Sequence, residues 1–185
     1  MVLAQLEIPI ASVERLAEIC AETGVPLMLD PAPAQALSPN LLKRIRWFTP
    51  NETEADFYAN RGMAKQSSVG HRSDGSDAMG LSETARSVLA QGPAGIIFKL
   101  GSRGAYLASD RVEQQLNALA VGVVDTTAAG DALNGAFAVG MMLGKSPMES
   151  ARFAVAAASI SVTRLGAQPS MPTMAEVSRM LEHSR

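Results

Sequence analysis

Helical and strand-like patterns alternate along the first half of the chain, each closed by its own punctuation. Val13, Leu16, Ala17 and Ile19 share one face at helical spacing behind Ser12, which predicts a helix capped by that serine and ended at Gly24. Residues 25–30 form a short apolar run that stops at an acid and a proline-rich loop, the mark of a buried strand. Ser38-Pro39 opens a second helix with proline at its first position, and residues 46–49 form a second short strand. This order, with connections of a few residues, predicts parallel strands covered by helices.

Between residues 61 and 80 the periodicity fails, because glycine, serine and charged residues dominate, and a flexible insertion is expected there. A helix resumes over 82–91. Residues 95–100 are the most strand-like run in the chain, and 105–109 with 112–116 read as an antiparallel hairpin around Asp110-Arg111. The last third is helical: from about Gly130 to Leu143, from Pro147 to about Thr163, and from Met174 onward. The alanine-rich stretch 151–158 would let helices approach closely.

Composition narrows the function classes. With 47% hydrophobic and 18% charged residues, the chain has the makeup of a globular domain. Its net charge of −2 comes without a basic block, which argues against a nucleic-acid partner. Cys20 is the only cysteine, so no disulfide joins two parts of the chain and a reducing, cytoplasmic setting is expected. The N-terminus does not read as a signal peptide, and the apolar runs 132–143 and 153–162 fall short of the roughly 20 residues of a membrane span. Cys20 and the ten methionines are expected in the core, and His71 and His183 in solvent.

The most informative segment is 123–137. Small residues ahead of a helix let successive amides face one space, to which the helix N-terminus adds positive potential. A phosphoryl group gaining charge during transfer suits such a place. Asp131 stands there as a candidate base for an attacking hydroxyl, and equally as a first-turn acid favoured by the helix dipole. Residues 140–146 imitate a phosphate-binding loop but have three residues between their glycines instead of four, and follow a helix instead of a strand. Gly144 ending one helix and Ser146-Pro147-Met148-Glu149 opening the next as a capping box accounts for them.

Asp125-Thr126-Thr127-Ala128-Ala129-Gly130-Asp131-Ala132-Leu133-Asn134-Gly135-Ala136 resembles the C-terminal signature of the ribokinase-like (PfkB-type) carbohydrate kinases. Three further segments agree in order: Asp30-Pro31-Ala32-Pro33-Ala34, Thr49-Pro50-Asn51-Glu52-Thr53-Glu54-Ala55 and Leu100-Gly101-Ser102-Arg103-Gly104. A fifth, residues 162–172, is similar to the tail of the ribokinase branch. The resemblance implies an α/β fold of three αβα layers with a mostly parallel sheet, and an ATP-dependent kinase acting on the primary hydroxyl of a pentose such as ribose. Asp131 would be the base that meets the substrate hydroxyl, and the amides of Ala128, Ala129, Gly130 and Asp131 the anion hole.

By the same resemblance Asn51 would contact nucleotide phosphates and Glu54 would organise Mg²⁺ through water, although the pair also reads as a capping box. Lys99, Leu100, Gly101, Ser102, Arg103, Gly104, Gly130 and Val155 would line the nucleotide, while residues 100–104 taken alone are also an ordinary strand-ending turn. The family commonly has a small or β-branched residue where this chain has Lys99. A monovalent cation such as K⁺ would be held at Asp125, Thr127, Ser161, Arg164, Gly166 and Ser170, mainly by backbone carbonyls with the Asp125 and Ser170 side chains. Asp125 equally suits a strand-end cap.

The matching segments belong to the C-terminal, nucleotide-binding part of the family; its glycine-rich sugar loop and β lid have no counterpart in residues 1–185. A kinase fragment or truncated product is therefore expected, with a catalytically inactive nucleotide-binding fragment or a partner-dependent module as the alternative. The strand at 25–29 would be left as an exposed edge open to self-association.

Overall fold

The computed structural model describes residues 1–61 and 78–183. Residues 62–77, with most of the insertion expected over 61–80 and with His71, lie outside the described residues. The two ends of that stretch are helical, Arg61 closing one helix and 78–80 opening the next. The chain divides into two compact units, one of Val2–Phe98 and Ala108–Gln114, the other of Lys99–Leu107 and Gln115–Arg185 with Met1.

Six strands form one sheet in the order β1 to β6: β1 Val2–Gln5, β2 Leu27–Asp30, β3 Ile45–Phe48, β4 Gly95–Lys99, β5 Ala105–Ser109 and β6 Glu113–Leu116. The first four run parallel, with Val2 opposite Leu27, Leu29 opposite Phe48, and Phe48 opposite Ile96. Residues 100–104 and 110–112 are too short for a crossover, so the last connections are antiparallel turns. The expected hairpin is present, with the Ser109 amide donating to the Val112 carbonyl at 2.8 Å. Every residue of β2 is buried and so are the first four of β4, the pattern of parallel strands covered on both faces.

Helices α1 (Ile10–Thr23), α2 (Pro39–Leu42), α3 (Glu52–Arg61) and α4 (Ala78–Leu89) belong to the first unit. Two expectations are corrected there. The helix expected behind Ser12 starts at Ile10 behind Pro9, with no side-chain cap, because proline already fixes the backbone ahead of a first turn. Gly24 does end it, at φ 69°. The strand at 25–29 is not an edge, since β1 pairs along β2 and takes the outer position itself. Cys20 is buried as expected.

The second unit carries α5 (Ala129–Met142), α6 (Pro147–Ser161) and α7 (Met174–His183). Phe153, Ala156, Ala157, Ile160 and Val177 form its buried cluster, with Leu119, Ala136, Met180 and Leu181 packed against it. A Cβ on Gly140 would lie 2.8 Å from the Ser150 hydroxyl, so α5 and α6 meet where their side chains are smallest. Ser146 and Glu149 form the full capping box and Gly144 takes φ 77°, so residues 140–146 are a helix-to-helix turn. Among the described residues no helix is long and apolar enough to cross a membrane.

Candidate active site

Residues 125–131 turn the chain from an irregular approach into α5. Ala128 sits at φ 61°, the one left-handed residue other than glycine among those described. The Ala129 amide donates back to Thr126 at 3.2 Å, and the Ala132 amide makes the first helical bond to Ala128 at 2.9 Å. Gly130 and Asp131 thus occupy the first turn, at the positive end of the helix dipole. Asp131 is exposed beside them, and Ala128, Ala129 and Gly130 are half-buried. Acid, small residues and helix N-terminus therefore lie together in one turn. A built Cβ on Gly130 would stand 3.6 Å from Lys99 Cδ and 3.8 Å from Lys99 Nζ, so the Lys99 side chain reaches from the end of β4 to the same turn.

Leu100 is buried behind Lys99, and Gly101–Arg103 form one exposed 3-10 turn closed by the Leu100 amide on the Gly104 carbonyl at 2.9 Å. Gly104 takes φ 91°, and a Cβ there would meet the Leu116 carbonyl oxygen at 2.0 Å. Its glycine is thus explained by the passage of residues 116–118 across it. Val155 is 5% exposed within α6.

Asp125 links two loops. Oδ1 accepts from the Thr127 amide and hydroxyl at 2.9 and 2.6 Å, and Oδ2 accepts from the Gly166 amide at 2.8 Å, 41 positions along the chain. These donors, the Thr127 hydroxyl first, hold its carboxyl below the usual carboxylate range. Among the other expected cation-site residues, the Ser161 and Ser170 hydroxyls are buried and donate to the Ala158 and Ala167 carbonyls. The Arg164 guanidinium donates to Glu176, leaving its carbonyl as the group to serve a cation. Sequence reasoning missed this pair, whose signal is the capping-box spacing of Thr173 and Glu176 at the start of α7.

The Thr173 amide, then Arg164, then the Thr173 hydroxyl push the Glu176 carboxyl down to about 2 from 4.5. A depressed carboxyl stabilises the fold above its unfolded value and loses that contribution on protonation. Wild type is therefore expected to lose more stability than Glu176→Gln as pH falls from 4.5 toward about 2. Urea midpoints measured for both proteins across that range check it, and parallel curves would contradict it.

In the first unit, Asn51 and Glu54 adopt the capping-box geometry. The Asn51 amide donates to Glu54 Oε2 at 2.8 Å, Asn51 Nδ2 to Oε1 at 2.9 Å, and the Glu54 amide to Asn51 Oδ1 at 2.9 Å. Each carboxylate oxygen keeps a lone pair beyond these bonds, so the hard oxygen donor that water-mediated Mg²⁺ binding requires is present. Asp30 ends β2 buried, 5% exposed, and the loop after it has a cis Ala32-Pro33 bond.

The pattern described as pfkB family carbohydrate kinase matches residues 2–174. Ribokinase of Haemophilus influenzae is 39% identical over 183 residues, covering 98% of this chain and 56% of that protein. Ribokinase of Bacillus subtilis is 35% identical over 181 residues, covering 98% and 55%. Among solved structures, Arabidopsis thaliana ribokinase complexed with ribose and ATP matches with TM-score 0.83 at 35% identity, over 97% of this chain and 55% of that one. Thermotoga maritima ribokinase matches with TM-score 0.82 at 35% identity, over 97% and 56%. The chain spans a little over half the length of these relatives.

Proposed function

The chain belongs to the pfkB family of carbohydrate kinases, and on that footing we propose that it carries the nucleotide-binding and phosphoryl-transfer part of an ATP-dependent sugar kinase acting on a pentose such as ribose. The observation that supports this reading is the first turn of α5, where an exposed carboxylate, Asp131, stands at the positive end of the helix dipole behind a run of small residues. The fold class is that of the family, a mostly parallel sheet with helices of the αβα type.

In the proposed reaction the sugar's primary hydroxyl oxygen attacks the terminal phosphorus of ATP while its proton passes to Asp131. The bond from that phosphorus to the bridging oxygen breaks, and ADP leaves with the electron pair. The Gly130 and Asp131 amides face the oxygens on which charge accumulates. Mg²⁺, when bound, would neutralise charge on the phosphates. Glu54 would hold its waters, with Asn51 fixing the carboxylate and meeting phosphate oxygens. Residues 100–104 would pass under the nucleotide. Asp125, with the carbonyls of Thr127, Ser161, Arg164 and Gly166 and the Ser170 hydroxyl, would hold K⁺, an oxygen donor set that suits a hard monovalent ion.

The test is to incubate the 185-residue chain with ATP, Mg²⁺, K⁺ and ribose and to follow ADP release with and without the sugar. Sugar-dependent release supports the kinase. ATP binding without turnover reduces the chain to a nucleotide-binding module, and absence of binding overturns the reading.

A further inference from the structure

In the second unit, the end of α6 and one face of α7 border a cavity of about 590 Å³, a size common among small-molecule sites. Its floor is apolar, made by Leu119, Ile160 and Met180. Ile160 is buried while Leu119 and Met180 are half-buried, so an apolar body laid over them would remove further surface from water.

The charged groups around this floor are unequally engaged. Glu176 accepts from Arg164 with one oxygen, and with the other from the Thr173 amide and hydroxyl at 2.7 and 2.8 Å, so its charge is already matched. Arg179 is exposed and spends only Nε, which donates to the Ala175 carbonyl of its own helix at 3.3 Å. Both terminal nitrogens of its guanidinium keep their donors, and among the described residues no carboxylate pairs with it. His183 Nδ1 lies 2.7 Å from the Arg179 carbonyl, a contact that places the hydrogen on Nδ1 and leaves Nε2 for another partner. The dipole of α7 favours cations in its last turns, which accounts for Arg179 and His183 on the helix but not for an apolar cavity next to them.

We propose that this cavity binds a small amphipathic carboxylate, its apolar chain on Leu119, Ile160 and Met180 and its charged end on Arg179 and His183. The apolar floor disfavours a bare inorganic anion, and a guanidinium without an acid partner receives a carboxylate through two parallel hydrogen bonds. The inference stands apart from the kinase reading, because no residue lining the cavity belongs to 100–104 or 125–131. Arg164 alone is common to the cavity and the expected cation site, and there through its carbonyl.

Octanoate is the probe, titrated calorimetrically and by amide NMR onto wild type, Arg179→Met and Ala120→Asp, with acetate and inorganic phosphate as comparisons. Wild type is expected to bind octanoate with a dissociation constant on the order of 1 mM, and acetate and phosphate about 10-fold more weakly. Amide shifts should gather at 119–120, 163–164 and 176–183. Arg179→Met is expected to weaken octanoate about 10-fold, as loss of a charge-assisted hydrogen bond does, and to melt like wild type because the side chain is exposed. Ala120 is an exposed residue of the same lining, and Ala120→Asp should weaken octanoate about 5-fold by setting a like charge beside it. Octanoate affinity unchanged in Arg179→Met, phosphate bound as tightly as octanoate, or no octanoate binding at 10 times the expected constant would each overturn the assignment.

Discussion

Asp131→Asn is expected to lower sugar-dependent ADP release by about 10³-fold to 10⁴-fold, the upper part of the range for a lost general base. Asparagine has nearly the shape of aspartate but cannot accept the hydroxyl proton. Because residue 131 is exposed in the first turn of α5, the exchange removes no packing. ATP affinity should hold or rise slightly, since a negative charge beside the phosphates is removed. The informative measurement is therefore paired: single-turnover phosphoryl transfer and ATP titration on the same preparations. A fall in affinity that matches the fall in rate would make residue 131 a binding group. An unchanged rate would return it to a first-turn acid that serves the helix dipole.

Gly104→Ala is expected to be the most damaging single methyl in the described part of the second unit. Its Cβ would stand 2.0 Å from the Leu116 carbonyl oxygen, 2.5 Å from the Ala118 nitrogen and 2.7 Å from the Asn117 carbonyl carbon, all of them backbone. A flexible side chain could swing away, but these atoms move only if residues 116–118 shift as a body. The left-handed φ of 91° adds a backbone penalty. Together they place the loss at more than about 3 kcal/mol, in the range kept for overpacking and special backbone conformations. Urea unfolding checks this, and a loss under about 1 kcal/mol would show that the strand and the following segment yield easily. The contrast with Gly101, whose Cβ would meet nothing within 4 Å, separates two glycines that look alike in Leu100-Gly101-Ser102-Arg103-Gly104.

Where each element was legible follows from what stabilises it. Residues 27–30 and 95–98 announce themselves because burial on both faces demands an unbroken apolar run. β1 did not, since Val2–Gln5 alternates half-buried and exposed positions over only four residues and becomes a strand through its pairing with Leu27–Asp30. The start of α1 was misplaced because Ser12 suits a cap by type, while Pro9 settles the matter through its fixed backbone. Most of α3 offers little apolar periodicity, and its start was readable only through Asn51 and Glu54. Around α5 and α6, local placement was readable: Asp131 and the small residues before it at the start of one helix, and the capping box at Ser146 at the start of the next. The approach of Lys99 to Gly130 and the bond from Gly166 to Asp125 join residues 31 and 41 positions apart, which no local spacing encodes.

Ala128 holds a conformation that an L-residue resists by about 1 kcal/mol. The turn from Thr126 to Ala132 keeps it there, together with the Asp125 carboxylate, which ties Thr127 on one side to Gly166 on the other. The shape of residues 125–131 is thus held partly by the segment's own bonds and partly by Gly166, 41 positions from Asp125. It follows that a graft or peptide of the motif loses the Gly166 bond to Asp125 and, with it, one of the restraints on the turn at Ala128. The twelve residues that mark the motif in the sequence, 125–136, thus depend on a bond to Gly166 that lies well outside them.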